Sequence, residues 1–246
     1  MPFRIVLCIC FLAFLAGCVT TGDANKSTAT YFESGEEHFR NKDYEESIAQ
    51  WKKLKENSSA SPQLSAIADL KIADAQFEMK NFIEAAASYE SFRKFHPDND
   101  KAPYALFRQA LCSYNQIGKI DKEQTSVTNA ITLLEIFLRE YPSSEHAAEA
   151  REKLADCVTK QAQYEIYIGR FYYRFGKYSA AIKRLEECVA RYPGSPVTDE
   201  AFLYLEKAYF QNGEKERGKE AFNRLFIKFP TSKYIDEASS YMKKYQ

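Results

Sequence analysis

The chain has 246 residues, of which 45% are hydrophobic and 28% charged, so it is long enough for a packed core and is not a disordered polymer. Its formal net charge is zero, with 34 basic and 34 acidic residues, and no dense basic run occurs. That balance disfavours nucleic acid as a partner, because phosphate contact needs a basic surface.

Residues 1–18, MPFRIVLCICFLAFLAGC, read as an export address. Arg4 is a short positive n-region, and Ile5 to Leu15 is an apolar stretch of signal-peptide length, too short to span a bilayer comfortably. Leu15-Ala16-Gly17-Cys18 resembles the lipobox of bacterial lipoproteins, which implies cleavage before Cys18 and acylation of that residue. The alternative is a plain signal peptide that happens to end in Cys. Several acyl chains anchor stably where one does not. Val19 stands where an inner-membrane retention Asp would be, which leans toward the outer membrane. The expected division is a signal peptide over 1–17, a lipidated Cys and flexible tether over 18–30, and a solenoid over 31–246, with N-terminal repeats over 31–120 and C-terminal repeats over 121–246.

Helical signals then recur. Tyr178, Ala181, Ile182, Leu185, Cys188 and Val189 mark one helix face, started after Gly176 and stopped before Pro193. The same punctuation surrounds runs starting at Tyr44, Phe82, Ile120 and Lys215, spaced 38, 38, 58 and 37 residues with Tyr178 in its place. Nine residues before each start come Gly35, Ala73, Leu111, Gly169 and Glu206; six before come His38, Gln76, Tyr114, Tyr172 and Tyr209. The order of small residue, Tyr, aromatic, Ala and Pro resembles the tetratricopeptide repeat, and Gly169, Tyr172, Tyr178, Ala181 and Pro193 carry it best. The fold expected is all-α: a right-handed α-solenoid of about five such helix pairs with a C-terminal capping helix. Helices are predicted near 28–40, 44–57, 61–78, 82–95, 102–117, 125–140, 144–175, 178–191, 196–211, 215–228 and 232–244. The 144–175 helix, capped by Ser143 or Ser144, is expected to protrude and offer a docking edge. Trp51, the single Trp, is expected in the core.

Chemistry of catalysis is not visible. His38, His96 and His146 are scattered, no Gly-rich phosphate loop or GxSxG motif occurs, and adjacent acids such as Glu186-Glu187 diverge on a helix. The reading is of no enzyme, no metal site and no cofactor. Cys112, Cys157 and Cys188 remain after the signal; Cys157 and Cys188 sit out of register by roughly 10 Å along antiparallel helices, so buried free thiols are expected.

The lipobox, short tether and five repeats with a stretched third-to-fourth junction resemble the BamD family of lipoproteins of the outer-membrane β-barrel assembly machine. The resemblance is strongest over residues 141–193, YPSSEHAAEAREKLADCVTKQAQYEIYIGRFYYRFGKYSAAIKRLEECVARYP. It implies a scaffold, not an enzyme, anchored by lipid in the outer membrane and facing the periplasm. The implied partners are the central barrel-forming assembly subunit, other lipoproteins of the machine and unfolded outer-membrane proteins. Arg184 matches a basic position that supports contact with the central subunit; Lys183 and Arg191 on the same helix are candidates with it. The other reading of Arg184 is an ordinary Arg paired with a nearby acid. The resemblance also implies an N-terminal substrate groove, for which Tyr31, His38 and Gln76 are candidates. The alternative function is a periplasmic repeat adaptor of the Tol–Pal or cell-wall and cell-division type, which shares repeats ending in Tyr-Pro-x-Ser.

Overall fold

The computed structural model describes residues 27–245. The signal segment, Cys18 and most of the tether lie outside the described residues. Helix α1 (Thr28–Arg40) already begins within the 18–30 stretch expected as tether, with Ser27 accepting a hydrogen bond from the Thr30 amide at 3.1 Å.

Four further first helices follow: α3 (Pro62–Glu78), α5 (Ala102–Asn115), α7 (Ala147–Arg174) and α9 (Thr198–Gln211). They alternate with the second helices α2 (Tyr44–Glu56), α4 (Phe82–Phe95), α6 (Thr125–Glu140), α8 (Tyr178–Arg191) and α10 (Lys215–Lys228). Helix α11 (Ile235–Met242) and a short 3₁₀ turn close the chain, and no strand occurs among the described residues. Each helix packs on the next, and α5, α7, α9 and α11 also pack first helix on first helix. The core is therefore serial. Tyr31, Trp51 and Leu54 belong to one cluster; Tyr89 and Phe92 to the next; Leu106, Leu134 and Phe137 to a third; Ile166, Leu185 and Phe202 to the last. This is the helical-repeat solenoid that the spacing predicts.

Two kinds of turn build the repeat. Inside four pairs the chain reverses through a left-handed residue: Lys42 (φ 66°), Lys80 (φ 63°), Gly176 (φ 68°) and Gly213 (φ 85°). At each, two backbone bonds form a Schellman cap, as in Lys177 N–H to Tyr172 O at 2.9 Å and Gly176 N–H to Tyr173 O at 3.0 Å. A side chain at such φ costs about 1–2 kcal/mol, against a Gly entropy cost of about 0.5–1 kcal/mol. Lys80→Gly is therefore expected to stabilise the protein by roughly 0.5–1 kcal/mol; an unchanged or lower urea midpoint would contradict this.

Between pairs a two-step turn recurs. The Tyr141 carbonyl accepts from Ser144 N–H at 3.1 Å, and the Ser144 carbonyl from Ala147 N–H at 2.9 Å; His96-Asn99-Ala102, Tyr192-Ser195-Thr198 and Phe229-Ser232-Ile235 repeat it. The turn-forming x-Pro-x-(Asn or Ser) sequences follow each second helix but the first. This corrects the start of α7. Ser144 is consumed by the turn, its hydroxyl accepting from His146 N–H at 3.3 Å, and the helix starts at Ala147 without a side-chain cap.

The third repeat needs two corrections. Ile120 is not the first position of the second helix: residues 116–124 form a loop, and α6 occupies the 125–140 span predicted from the sequence. Its buried Ala130, Leu134 and Phe137 match Ala85, Tyr89 and Phe92 of α4. Counted from the turn, Ala102 being equivalent to Thr198, the position of Glu206 falls on fully buried Ala110 and not on Leu111.

Helix α7, with 28 residues, is about 42 Å long at 1.5 Å per residue. It does not protrude. Ala150 and Cys157 of its first half are buried with α5 and α6, and Ala162 and Ile166 of its second half with α8 and α9. It is a strut between two cores, because buried small and apolar residues recur along its whole length.

Cys112, Cys157 and Cys188 are free and buried. Burial pushes their thiols up, to about 12 for Cys112 and Cys188 and about 11 for Cys157.

Candidate partner and substrate surfaces

A cleft of about 770 Å³ lies where α3, α5 and the α6–α7 turn converge. Leu70, Lys71 and Asp74 enter it from α3, Tyr104 from α5, and Tyr141 and His146 from the turn. Asp74 holds its floor. Tyr89 and Tyr104 each donate a hydroxyl hydrogen bond to Asp74 Oδ1, at 2.5 and 2.8 Å. Arg108 lies 3.8 Å from the same oxygen, donates to the Tyr89 hydroxyl at 3.1 Å and to Glu78 at 3.2 Å, and stacks on Phe77 at 3.7 Å. Burial raises the Asp74 carboxyl above its ordinary range, and the two tyrosine bonds and Arg108 oppose that rise. His146 stacks on Phe107 with centroids 4.8 Å apart. The floor is a saturated polar network, which makes it rigid. Its rim is mixed in charge: Lys71, which pairs with Glu36 at 2.9 Å, Lys101, Asp100, Glu140 and Glu145. Apolar walls with charged, hydrogen-bonding edges suit a short peptide segment.

None of the three groove candidates lines this cleft. Tyr31 is 7% exposed and packs with Trp51 and Leu54 in the first core, so its ring is committed to the fold. His38 lies in a separate hollow at the α1–α2 turn with Asp43 and Met79, its Nδ1 3.6 Å from an Asp43 oxygen. Gln76 lines a third hollow between α3 and α4, and its amide oxygen accepts from the Ser88 hydroxyl at 2.6 Å. The cleft residues that sequence reasoning missed come from helices 30 residues apart, so no local motif joins Asp74 to Tyr104. The available signal was Tyr104 and Arg108, one turn apart on one face of α5.

On α8, Arg184 and Arg191 stand two turns apart on one face, and Lys183 is turned away from Arg184 by about 100°. Arg184 Nη1 donates to Glu165 Oε2 at 3.0 Å; the Glu165 side chain is 10% exposed and that of Arg184 39%. Both readings of Arg184 therefore have a structural basis: it pairs with an acid and still presents part of its guanidinium to solvent. Arg191 is exposed, with the Tyr192 hydroxyl bonding to it and holding its charge on. Lys183 is exposed. Among the described residues no group of three or more His, Cys, Asp or Glu is placed to hold a metal ion, and no helix is long and apolar enough to cross a membrane.

Residues 24–225 match the family described as "YfiO: Outer membrane lipoprotein". A Caulobacter vibrioides protein named "Outer membrane protein assembly factor BamD" is 27% identical over 227 residues, covering 89% of this chain and 73% of that one. A protein of the same name from Buchnera aphidicola subsp. Acyrthosiphon pisum is 24% identical over 191 residues, covering 74% of this chain and 78% of that one. Among solved structures, the TPR2AB domain of yeast Sti1 aligns over 89% of this chain and 85% of its own, with 13% identity and a TM-score of 0.44.

Proposed function

Because the chain belongs to the YfiO family of outer membrane lipoproteins, we propose that it is an outer membrane protein assembly factor, held by acyl chains on Cys18 and facing the periplasm. The observation that carries this is the family match across residues 24–225, together with the shared assembly-factor name of relatives aligned over most of both chains. Both favour assembly over the Tol–Pal or cell-wall adaptor reading.

The mechanism is binding and positioning, with no catalytic step assigned. An unfolded barrel protein displays apolar side chains and unpaired backbone groups. The cleft over Asp74 captures such a segment at low ordering cost, because Arg108, Tyr89 and Tyr104 already fix its floor. Lipid anchoring raises the local concentration of both partners at the membrane. The C-terminal repeats hold the central assembly subunit through α8, with Arg184 at the contact and Lys183 and Arg191 beside it. Other lipoproteins of the machine dock on the same scaffold.

Co-purification from native membranes in mild detergent tests this. The tagged chain is expected to retain a large outer-membrane barrel protein with periplasmic repeat domains. Arg184→Glu should lower its recovery by about tenfold, the scale of a reversed interfacial charge. Glu165→Gln, which removes the internal partner and leaves Arg184 in place, should retain it. Recovery of cell-wall or division proteins without that barrel, or equal loss in both variants, would overturn the assignment.

A further inference from the structure

One face of α7 carries apolar residues at alternating spacings of four and three. In the first half these are Ala150, Leu154 and Cys157; in the second, after Gln161, they are Tyr164, Ile168, Phe171 and Phe175. That is the a/d spacing of a seam that packs against another helix. The first half has its partner: Ala150 and Cys157 are fully buried in the cluster of α5 and α6, with Leu154 against it. The preceding helix pair stops there. The α5–α6 loop reaches only as far as Lys160 and Gln163, with which Ile117 and Ile120 line a small hollow.

Beyond that point the seam opens step by step, with Tyr164 and Ile168 half-buried and Phe171 and Phe175 exposed. Tyr164, Ile168, Phe171 and Phe175 belong to neither adjoining cluster, and Phe171 and Phe175 are 47% and 66% exposed. Their rings pack on each other at 4.6 Å. Tyr167, 41% exposed, flanks them. The opposite face of the same half, with Ala162, Ile166 and Gly169, is spent on α8 and α9. The open stretch is the seat that a preceding first helix would fill if α7 were of ordinary length.

The electrostatics are one-signed. Between Gln163 and Lys177 the single acid is Glu165, which is buried and paired with Arg184. Arg170 is tied to Glu200 at 2.8 Å on the side toward α9. Arg174 and Lys177 are exposed at the end of the seam and form no ion pair among the described residues.

We propose that the seam Tyr164–Ile168–Phe171–Phe175, half-covered at its start and open at its end, docks an acidic amphipathic α-helix of a partner protein, about three turns long, in the seat vacated by the offset of α7. The 4-3 spacing calls for a helix and not an extended strand, whose contacts alternate every two residues. The cations call for Asp or Glu beside its apolar stripe. A second copy of this chain fits poorly, since its own seam carries the same positive charges.

Site-specific photocrosslinking in the full, membrane-anchored chain tests this, with benzoylphenylalanine in place of Phe171 or of Phe175. Adducts are expected on one partner, within an acidic amphipathic segment, the two attachment sites lying one helical turn apart. The pair Arg174→Glu and Lys177→Glu should lower the yield about tenfold, with the circular-dichroism melting curve unchanged to show that the fold is kept. Adducts on a second copy of this chain, on lipid, or on a segment whose contacts alternate every second residue would overturn the proposal, as would no adduct or a yield indifferent to the charge reversal.

Discussion

Gly35→Ala is expected to destabilise the protein by about 3 kcal/mol, at the upper end for overpacking of a core, with loss focused on the first helix pair. A β-carbon on Gly35 would sit 2.3 Å from Nε1 of Trp51, 2.6 Å from Cδ1 and 2.7 Å from Cε2. These are atoms of a rigid indole, not the free end of a flexible chain. The ring cannot retreat, because Trp51 is fully buried and packs beside Tyr31, Leu54 and Phe39. Helix propensity pulls the other way, since Ala is better than Gly inside a helix by about 1 kcal/mol. The clash must exceed that gain, so the sign of the effect decides between packing and propensity. Trp51 is the single Trp, and its fluorescence reports on this pair. Urea unfolding followed at the indole should show an earlier transition in Gly35→Ala. Adding Trp51→Leu should recover part of the loss. A stabilised Gly35→Ala would show that the small residue is not required for the approach of α1 and α2.

Stability should fall as pH rises from about 5 to 8, and Glu206→Gln should remove much of that fall. Glu206 occupies the position that holds Gly in the first and fourth repeats, yet it is fully buried and neither carboxylate oxygen has a hydrogen-bond partner. Burial raises its pKa to about 8; Lys207 opposes this, and Glu237 on α11 adds to it. Lys207 is engaged with the Glu237 carboxylate, and burial outweighs its pull on Glu206. The folded pKa lies above the unfolded value, so in the interval the folded chain holds a proton that the unfolded chain has lost. Stability is fully present below the unfolded pKa and is lost as pH rises through the folded one. The slope contributed by this group approaches about 1.4 kcal/mol per pH unit between the two. Gln has nearly the same shape and no proton to lose. Urea midpoints from pH 5 to 8.5 should therefore converge at low pH and separate at high pH, with the variant the more stable. Parallel curves would show that Glu206 stays charged inside the fold.

Both effects bear on what the sequence can disclose. Helix ends were legible wherever Gly or Pro marks a turn with a physical need for it: Gly176 at positive φ, Pro142 and Pro193 in the two-step turns. In the third repeat the 125–140 helix was legible but its register was not, because Gly118 suggested a turn of the same kind while the chain runs through a longer loop to Thr125. Gly118 shares no positive φ with Gly176 and Gly213. Ser144 was misread as a cap because its hydroxyl and backbone serve the turn before α7. Trp51 was legible as a core residue from its place in the repeat. The substrate candidates were not, since helical periodicity tells which residues share a face but not which face meets a groove. Tyr31 points into the core, and Asp74, Tyr89 and Arg108 meet only when three helices have packed. The aromatic run Tyr164, Tyr167, Ile168, Phe171, Tyr172 and Phe175 reads from the sequence as packing mostly between helices, and its open end depends on where α5 and α6 stop, which is a property of the assembled repeats.

The most direct measurement of the central claim is depletion of this chain from its own cells, followed by the heat-modifiable mobility of outer-membrane barrel proteins. If the chain is an assembly factor, folded barrels in the outer membrane decline and unfolded ones accumulate in the periplasm, and restoring the wild-type chain reverses both. Barrels that assemble at the normal rate after depletion, with defects confined to the cell wall or to division, would contradict it.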